Sequence, residues 1–150
     1  MRVHHLYREQ FLNRPTAEVF EFFARAGNLE RITPPWLGFS LTTPEPEQMC
    51  AGTLIEYRLR LHRIPLRWTT QIAVWEPGRA FEDVQVKGPY RLWHHRHEFQ
   101  PAGSGTLVRD HVRYALPLGP LGRLAHGLVV ERDLARIFDY RRRAVARELG

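Results

Sequence analysis

The stretch Phe81–Tyr114, FEDVQVKGPYRLWHHRHEFQPAGSGTLVRDHVRY, predicts three consecutive β-strands with turns at Gly88-Pro89 and Pro101–Gly105. Side chains of a strand point alternately to the two faces of a sheet, so every second residue shares a face. On one face this alternation collects aromatic, aliphatic and ionisable residues: Phe81, Asp83, Gln85, Trp93, His95, His97, Phe99, Val108, Asp110, Val112 and Tyr114. Such a face either lines a pocket or holds a polar network whose hydrogen bonds are all satisfied.

The composition is that of an ordinary soluble domain. The chain has 150 residues, of which 43% are hydrophobic and 25% charged, and this length suits one domain with a sizeable core. We therefore predict a single domain over residues 1–150. The only cysteine, Cys50, excludes an internal disulfide. No apolar run approaches the length of a membrane span or of a signal peptide, and we expect a cytoplasmic protein.

The basic charge comes almost entirely from arginine. The formal net charge is +6, and a basic balance can indicate nucleic acid or an anionic membrane as partner. However, the arginines are spread from Arg2 to Arg147, and the only dense run is Arg141–Arg143. This distribution favours a solvated arginine-rich surface, and we predict neither a nucleic-acid partner nor stable membrane insertion.

Further strands and two short helices precede the opening stretch. The alternation of apolar and polar residues predicts strands over residues 2–12, 39–42, 52–61 and 66–75. A helix begins at Pro15-Thr16 and ends near Gly27, and its spacing predicts a buried stripe of Val19, Phe22, Phe23 and Ala26. Asn28 is placed to cap a second short helix, which Pro34-Pro35 stops.

A long helix is predicted from about residue 121 to 148. Its stripe consists of Leu124, Leu128, Leu134, Ile137, Phe138, Arg141, Val145 and Leu149, and Gly127 is placed to bend it. Strands joined by hairpins form an antiparallel sheet, and the helix must bury its stripe against that sheet. The predicted fold class is therefore α+β, with about seven strands curved around the C-terminal helix.

Several motifs of the chain resemble those of the SRPBCC superfamily, which includes START, Bet v 1 and polyketide cyclase/dehydrase-like proteins. The motifs are Ile32–Leu37, Phe81–Gln85 with Gly88-Pro89-Tyr90, Trp93-His94-His95, Gly105-Thr106, Asp110, Leu116–Gly119 and Ile137–Arg141. The resemblance covers nearly the whole chain. In detail, the chain is similar to a bacterial ligand-binding group within this superfamily. It implies the helix-grip fold, in which the sheet wraps around the terminal helix and leaves a cavity between them.

The resemblance implies that a hydrophobic small molecule is bound in the cavity, such as a lipid, a polyketide or an isoprenoid-like compound. Two alternatives stay open, because one fold carries many functions. One is a cyclase or dehydratase that uses a His/Asp acid–base pair, and the other is a protein-interaction module with a filled core. An enzyme is not favoured, since the sequence lacks a nucleophile elbow, a Cys–His pair and a Gly-rich phosphate loop. A homodimer is a further possibility.

The mixed face supplies the candidate site residues. The expected ligand-binding residues are Tyr57, Trp68, Asp83, Gln85, Trp93, His95, His97, Asp110, Tyr114 and Trp36. Buried unpaired polar groups would each cost about 1–3 kcal/mol, so the polar cluster should bond internally, to water or to a ligand; its members are Gln85 and the four residues Asp83, His95, His97 and Asp110. The same four residues are the candidates for acid–base catalysis.

Metal and cofactor binding are not expected. His95 and His97 present two imidazoles on one strand face, but no second spaced His pair accompanies them and Cys50 lies in a loop. Trp36, after a double proline, is either a gate at the pocket mouth or a minor core contact. Arg141 interrupts the apolar stripe of the terminal helix and either meets a buried carboxylate or lies just outside the core.

Overall fold

The computed structural model describes all residues 1–150 as a seven-stranded antiparallel sheet, two short helices and a long C-terminal helix. The strands are β1 (His4–Leu12), β2 (Ser40–Leu41), β3 (Leu54–Leu61), β4 (Ile64–Glu76), β5 (Ala80–Lys87), β6 (Leu92–Ala102) and β7 (Gly105–Ala115). They follow the order β1-β7-β6-β5-β4-β3-β2 across the sheet. The predicted α+β helix-grip fold is confirmed.

The β3–β4 hairpin is tighter than its sequence predicts. Only His62 and Arg63 form the turn, and Ile64 and Pro65 already belong to β4. Both turn residues have positive φ, 49° and 70°, as a two-residue turn requires when its twist matches that of the strands. His62 is also held by a 2.5 Å contact between its Nε2 and Oδ2 of Asp133.

Helices α1 (Thr16–Ala24) and α2 (Leu29–Ile32) follow β1, as predicted. The buried face of α1 differs from the predicted stripe, because Phe20 is buried and Phe22 is only half-buried. Phe20 fits between aromatic rings of the sheet, with its centroid 5.2 Å from that of Phe99. Asn28 does not cap α2, since its Nδ2 donates instead to the carbonyl oxygen of Phe22.

The C-terminal helix is continuous but changes pitch. It comprises α3 (Gly119–Ala125), a wide π-helical turn over His126–Val130, and α4 (Glu131–Leu149). The expectation that Leu124 and Leu128 are buried is wrong, because both are exposed. Between Gly122 and Leu134 no residue of the helix is buried, so only α4 packs closely on the sheet. None of the helices is long and apolar enough to cross a membrane.

The core lies on the concave side of the sheet in two clusters. The larger cluster joins α1, α2 and the end of α4 to the strands, and the smaller one consists of Val112, Tyr114, Leu134 and Phe138. The polar residues of β5, β6 and β7 lie beside these clusters. The fold therefore buries ionisable groups against the long helix.

Candidate functional site

A cavity of about 190 Å³ lies between the sheet and the C-terminal helix. Of the 25 residues that line it, 19 are hydrophobic, and they come from α1, α2, the strands, α4 and the segments that connect them. Six of the residues predicted from the sequence belong to this lining: Tyr57, Trp68, Asp83, Trp93, His95 and His97. Apolar walls with a few converging polar groups are typical of small-molecule sites.

The remaining predicted residues lie outside the lining. Both polar atoms of the Gln85 amide bond the backbone of Tyr90, at 2.7 and 3.1 Å, so this side chain closes the β5–β6 turn. The Tyr114 hydroxyl is 2.7 Å from Nε2 of His126 in the terminal helix. Asp110 lies behind the two histidines rather than on the cavity wall.

Trp36 lies in an outer groove next to the cavity. The groove and the cavity share Leu37, Leu61 and Ile137 as lining residues. The indole is 49% exposed, and the guanidinium carbon of Arg136 lies 5.2 Å from the ring centroid. Trp36 is thus neither a cavity wall nor a core residue, and its position beside the shared residues is compatible with the predicted gate.

Two His–Asp pairs cross each other beneath the cavity. In the sheet register Asp83 is opposite His95, and Asp110 is opposite His97. The hydrogen bonds run diagonally instead: His97 Nε2 is 2.6 Å from Asp83 Oδ2, and His95 Nε2 is 2.7 Å from Asp110 Oδ1. The two imidazoles stack with centroids 3.6 Å apart, which is the arrangement that lets the bonds cross.

Arg141 of α4 completes the network. Its side chain is only 14% exposed, and Nη2 lies 3.6 Å from Asp110 Oδ1, so the guanidinium meets a buried carboxylate, as one of the two sequence interpretations held. The guanidinium carbon also lies 5.3 Å from the ring centroid of Phe23. Because Nη2 makes no hydrogen bond and Arg141 lines the cavity, this cation has donor capacity left over.

The two histidines have opposite pKa shifts. Burial and the neighbouring His97 lower the pKa of His95 to about 4, although Asp110 partly offsets them. For His97 burial also opposes the charge, but Asp110 and Asp83 outweigh it and raise its pKa. The opposite shifts favour the proton on His97 over His95. Neutral His95 donates from Nε2 to Asp110 and keeps a lone pair on Nδ1.

The carboxylates are held in their charged form. Burial favours the protonated acid, but the hydrogen bond and charge of His97 overcome it and lower the pKa of Asp83. Arg141 and the two histidines hold the pKa of Asp110 well below its usual range against the same burial. When His97 carries its proton, the two carboxylates are balanced by the His97 imidazolium and the Arg141 guanidinium, and the network is neutral as a whole.

One ligand-type atom each from Asp83, His95 and His97 lies within 4.8 Å of the others, a spacing that a metal ion could use. However, the hydrogen bonds within the network already occupy both Nε2 atoms and the Asp83 oxygen. The charges of His97 and Arg141 would also repel a cation. These residues are therefore poor metal ligands in this arrangement.

Two cavity features were beyond sequence reasoning. The lining contributed by the short helices, for example Phe23 and Ile32, was signalled only as an apolar stripe of the kind that any core helix has. The indole Nε1 of Trp68 is buried without a hydrogen-bond partner in the protein, and the residue is 6% exposed. No sequence pattern announces an unpaired donor of this kind.

A curved antiparallel sheet closed around a long helix, with an apolar cavity between them, defines the helix-grip fold. The chain belongs to the polyketide cyclase/dehydrase and lipid transport family, whose model matches residues 12–139. This membership confirms the predicted SRPBCC superfamily. No curated protein sequence matches the chain.

Solved structures share the whole fold. The Zhui aromatase/cyclase from a Streptomyces species has a TM-score of 0.71 at 15% identity, with 99% of this chain and 98% of that chain covered. A START superfamily protein from Mycobacterium smegmatis has a TM-score of 0.70 at 9% identity, with 97% of each chain covered. At these identities the likeness concerns the fold alone.

A third structure is more similar in sequence but much longer. It is a nucleoside-diphosphate sugar epimerase from Corynebacterium glutamicum, with 26% identity and a TM-score of 0.57. The match covers 71% of this chain and 24% of that chain. In the epimerase, the segment that is similar to this protein is therefore a minor part of a longer chain.

Proposed function

We propose that this protein binds a small, flat, mostly apolar molecule that carries a neutral hydrogen-bond acceptor such as a carbonyl oxygen. The observation that carries the proposal is a set of three buried side-chain nitrogens of lining residues that make no hydrogen bond, Trp68 Nε1, His97 Nδ1 and Arg141 Nη2. The last two lie 3.4 and 3.6 Å from Asp110 Oδ1, so Trp68 Nε1 is the donor of the three that has no polar partner. A buried donor without an acceptor costs about 1–3 kcal/mol. An acceptor oxygen on a ligand would recover this cost.

The charge of the site selects a neutral ligand. Asp83, Asp110, His97 and Arg141 already balance one another, so a carboxylate or phosphate would bring an uncompensated buried charge. A carbonyl, ether or phenol oxygen can accept from Arg141 or Trp68 without changing that balance. A cavity of about 150 Å³ already accommodates benzene, so a cavity of about 190 Å³ suits a compound of one or two rings. The long-chain lipids and larger polyketides that the resemblance implies are less suited to this volume.

The walls favour an aromatic ligand. Trp68 stacks on Tyr57 with centroids 6.0 Å apart and meets Trp93 edge-on at 5.4 Å. Aromatic pairs of this geometry add about 0.5–1.5 kcal/mol beyond the burial of their area, and a flat ligand ring would extend the same packing. A cavity of about 190 Å³ also speaks against an interaction module with a filled core, since one water needs only about 10–15 Å³.

A matched pair of probes tests the proposal. The probes are 2-acetylnaphthalene and 2-isopropenylnaphthalene, in which a methylene replaces the carbonyl oxygen. Isothermal titration should give about tenfold tighter binding of the ketone, the value of one hydrogen bond of about 1.4 kcal/mol. Trp68→Phe should remove most of this preference, whereas the control Trp75→Phe, outside the lining, should keep it. No binding of either probe, or equal binding of both, would contradict the proposal.

An acid–base reaction is the second candidate, favoured by the free Nδ1 of His95 at the cavity wall. In that case Nδ1 would take a proton from the carbon next to a ligand carbonyl, and Arg141 would stabilise the enolate oxygen. We rank it below binding, because a base works best with a pKa near the ambient pH and the pKa of His95 is lowered to about 4. Deuterium exchange into 2-acetylnaphthalene by the native protein, absent in His95→Gln, would reverse this ranking.

A further inference from the structure

A row of exposed leucines follows the start of the C-terminal helix. We call Leu118, Leu121, Leu124 and Leu128 the leucine ridge; their exposed fractions are 73%, 67%, 60% and 66%. A single exposed leucine is ordinary, but a continuous apolar patch marks an interaction surface. From Leu121 onward the spacing is three and then four residues, which places the side chains along one side of a helix.

On its other side, the segment that carries the ridge is attached to β1 and β7 through His126 and packs against the residues that precede α3. His126, within the π-helical turn, bonds the Tyr114 hydroxyl at 2.7 Å and stacks on His4 with centroids 3.5 Å apart. Gly122 is buried, and a Cβ at this position would collide with the carbonyl oxygen of Pro117. The ridge is thus presented outward on an anchored backbone rather than on a loose end.

Three arginines line one depression beside the ridge. Arg2, Arg91 and Arg123 surround it, and the first turn of α3 forms part of its wall. No carboxylate belongs to the lining, and none of the three arginines forms an ion pair within the protein. Guanidinium groups match phosphate oxygens in charge and in fork geometry. We call this depression the arginine groove.

We propose that the leucine ridge and the arginine groove dock the protein reversibly on an anionic phospholipid surface. Arg123 belongs to the groove and lies on α3 between Leu121 and Leu124, so one helix joins the apolar and cationic parts. A phospholipid layer supplies both complements, with headgroup phosphate for the arginines and acyl chains for the leucines. The docking is peripheral, and it is independent of the ligand in the cavity.

Other partners match only half of this surface. A second copy of the chain would bring the same patch against itself in a two-fold contact, so that unpaired arginines would meet unpaired arginines. Nucleic acid would satisfy the arginines, but it is bound through phosphates and through base stacking on aromatic rings. It would leave the leucines in water.

Vesicle flotation tests the proposal. The native protein should float with vesicles of phosphatidylcholine and phosphatidylglycerol but not with phosphatidylcholine alone, and added salt should weaken the binding. Arg91→Gln with Arg123→Gln should lower partitioning about thirtyfold, from about 1 kcal/mol per arginine at an anionic surface. Replacing Leu121, Leu124 and Leu128 by Gln should abolish flotation. These side chains are exposed, so circular dichroism and melting temperature should stay native.

The control is a charge-matched pair on the outer face of the sheet. Arg58 and Arg67 are exposed, face each other across β3 and β4, and form no ion pair. Arg58→Gln with Arg67→Gln removes the same charge and should leave flotation intact. An equal loss in this control would mean general cationic attraction and would overturn the proposal. So would no flotation of the native protein, a dimer that the leucine replacements dissociate without vesicle binding, or binding confined to inorganic phosphate or an RNA oligomer.

Discussion

His95 and His97 are two residues apart on one strand, stack on each other, and still differ in protonation. The difference arises from the number of carboxylates that each one faces. His97 lies between Asp83 at 2.6 Å and Asp110 at 3.4 Å, whereas His95 contacts only Asp110. Two buried imidazolium rings in contact would repel each other, so the histidine with more anions near it takes the single proton.

The pKa of His95 predicts a loss of stability in acid. Its pKa is lowered from 6.5 to about 4 in the folded protein, so below pH 6.5 the unfolded chain binds a proton that the folded chain rejects. Unfolding free energy should therefore fall by about 3 kcal/mol as the pH drops from 6.5 to 4, at 1.36 kcal/mol for each unit of pKa difference. Urea titrations over this range measure the loss.

His95→Gln should flatten that profile, because the amide can still donate to Asp110 but does not titrate. The matched control is His94→Gln, on the opposite face of β6, where His94 contacts Glu82 at 2.5 Å. This control keeps His95 in place and should keep the loss in acid. An unchanged slope in His95→Gln would mean that another group binds the proton.

Strand alternation was sufficient to place Asp83, His95, His97 and Asp110 on one face of the sheet, and the turns at Gly88-Pro89 and Pro101–Gly105 set the register that makes them neighbours. It could not give the diagonal bonds, which depend on how the stacked rings tilt. It also could not exclude Gln85 from the lining, since its partner is the backbone of a turn whose shape the sequence does not fix. Whether these residues bind a ligand stays a prediction.

At the scale of elements, the C-terminal helix is the one whose pattern misleads. Hydrophobic periodicity predicts which side of a helix is apolar, but it does not say how far along the helix the sheet extends. Leu124 and Leu128 continue the stripe of Leu134 and Phe138 in sequence, yet they lie beyond the buried part. The strands were predicted better, because alternation and turn residues are local signals.

Replacement by alanine should have opposite effects on stability at two glycines of this helix. At Gly122 a Cβ would collide with the Pro117 carbonyl oxygen, whereas at Gly127 nothing lies within 4 Å of it. Gly127→Ala should stabilise the protein by about 0.4–1 kcal/mol, because it restricts the unfolded chain. Gly122→Ala should destabilise it by at least 1 kcal/mol, since the backbone of α3 must shift. Thermal denaturation compares the two, and equal effects would contradict the packing assigned to Gly122.

At the scale of the whole molecule, the cavity belongs to no single element. Its lining comes from both short helices, the sheet, α4 and the segments that connect them, so it exists only when the sheet and the helix are closed together. A ligand held there binds the folded state alone. Its binding free energy must therefore add to the stability of the entire chain, whatever local contacts it makes.

A bound ligand should thus raise the melting temperature, and the amount follows from linkage. With 2-acetylnaphthalene at 100 times its Kd, the added stability is about 2.7 kcal/mol. For a chain of this size that corresponds to a shift of about 5–11 °C, since about 1 kcal/mol moves the midpoint by 2–4 °C. Trp68→Phe, at the same ketone concentration, should reduce the shift. The variant with Gln at Leu121, Leu124 and Leu128 should keep the full shift, because none of these leucines lines the cavity. A shift lost in the leucine variant but kept in Trp68→Phe would place the ketone on the leucine ridge instead.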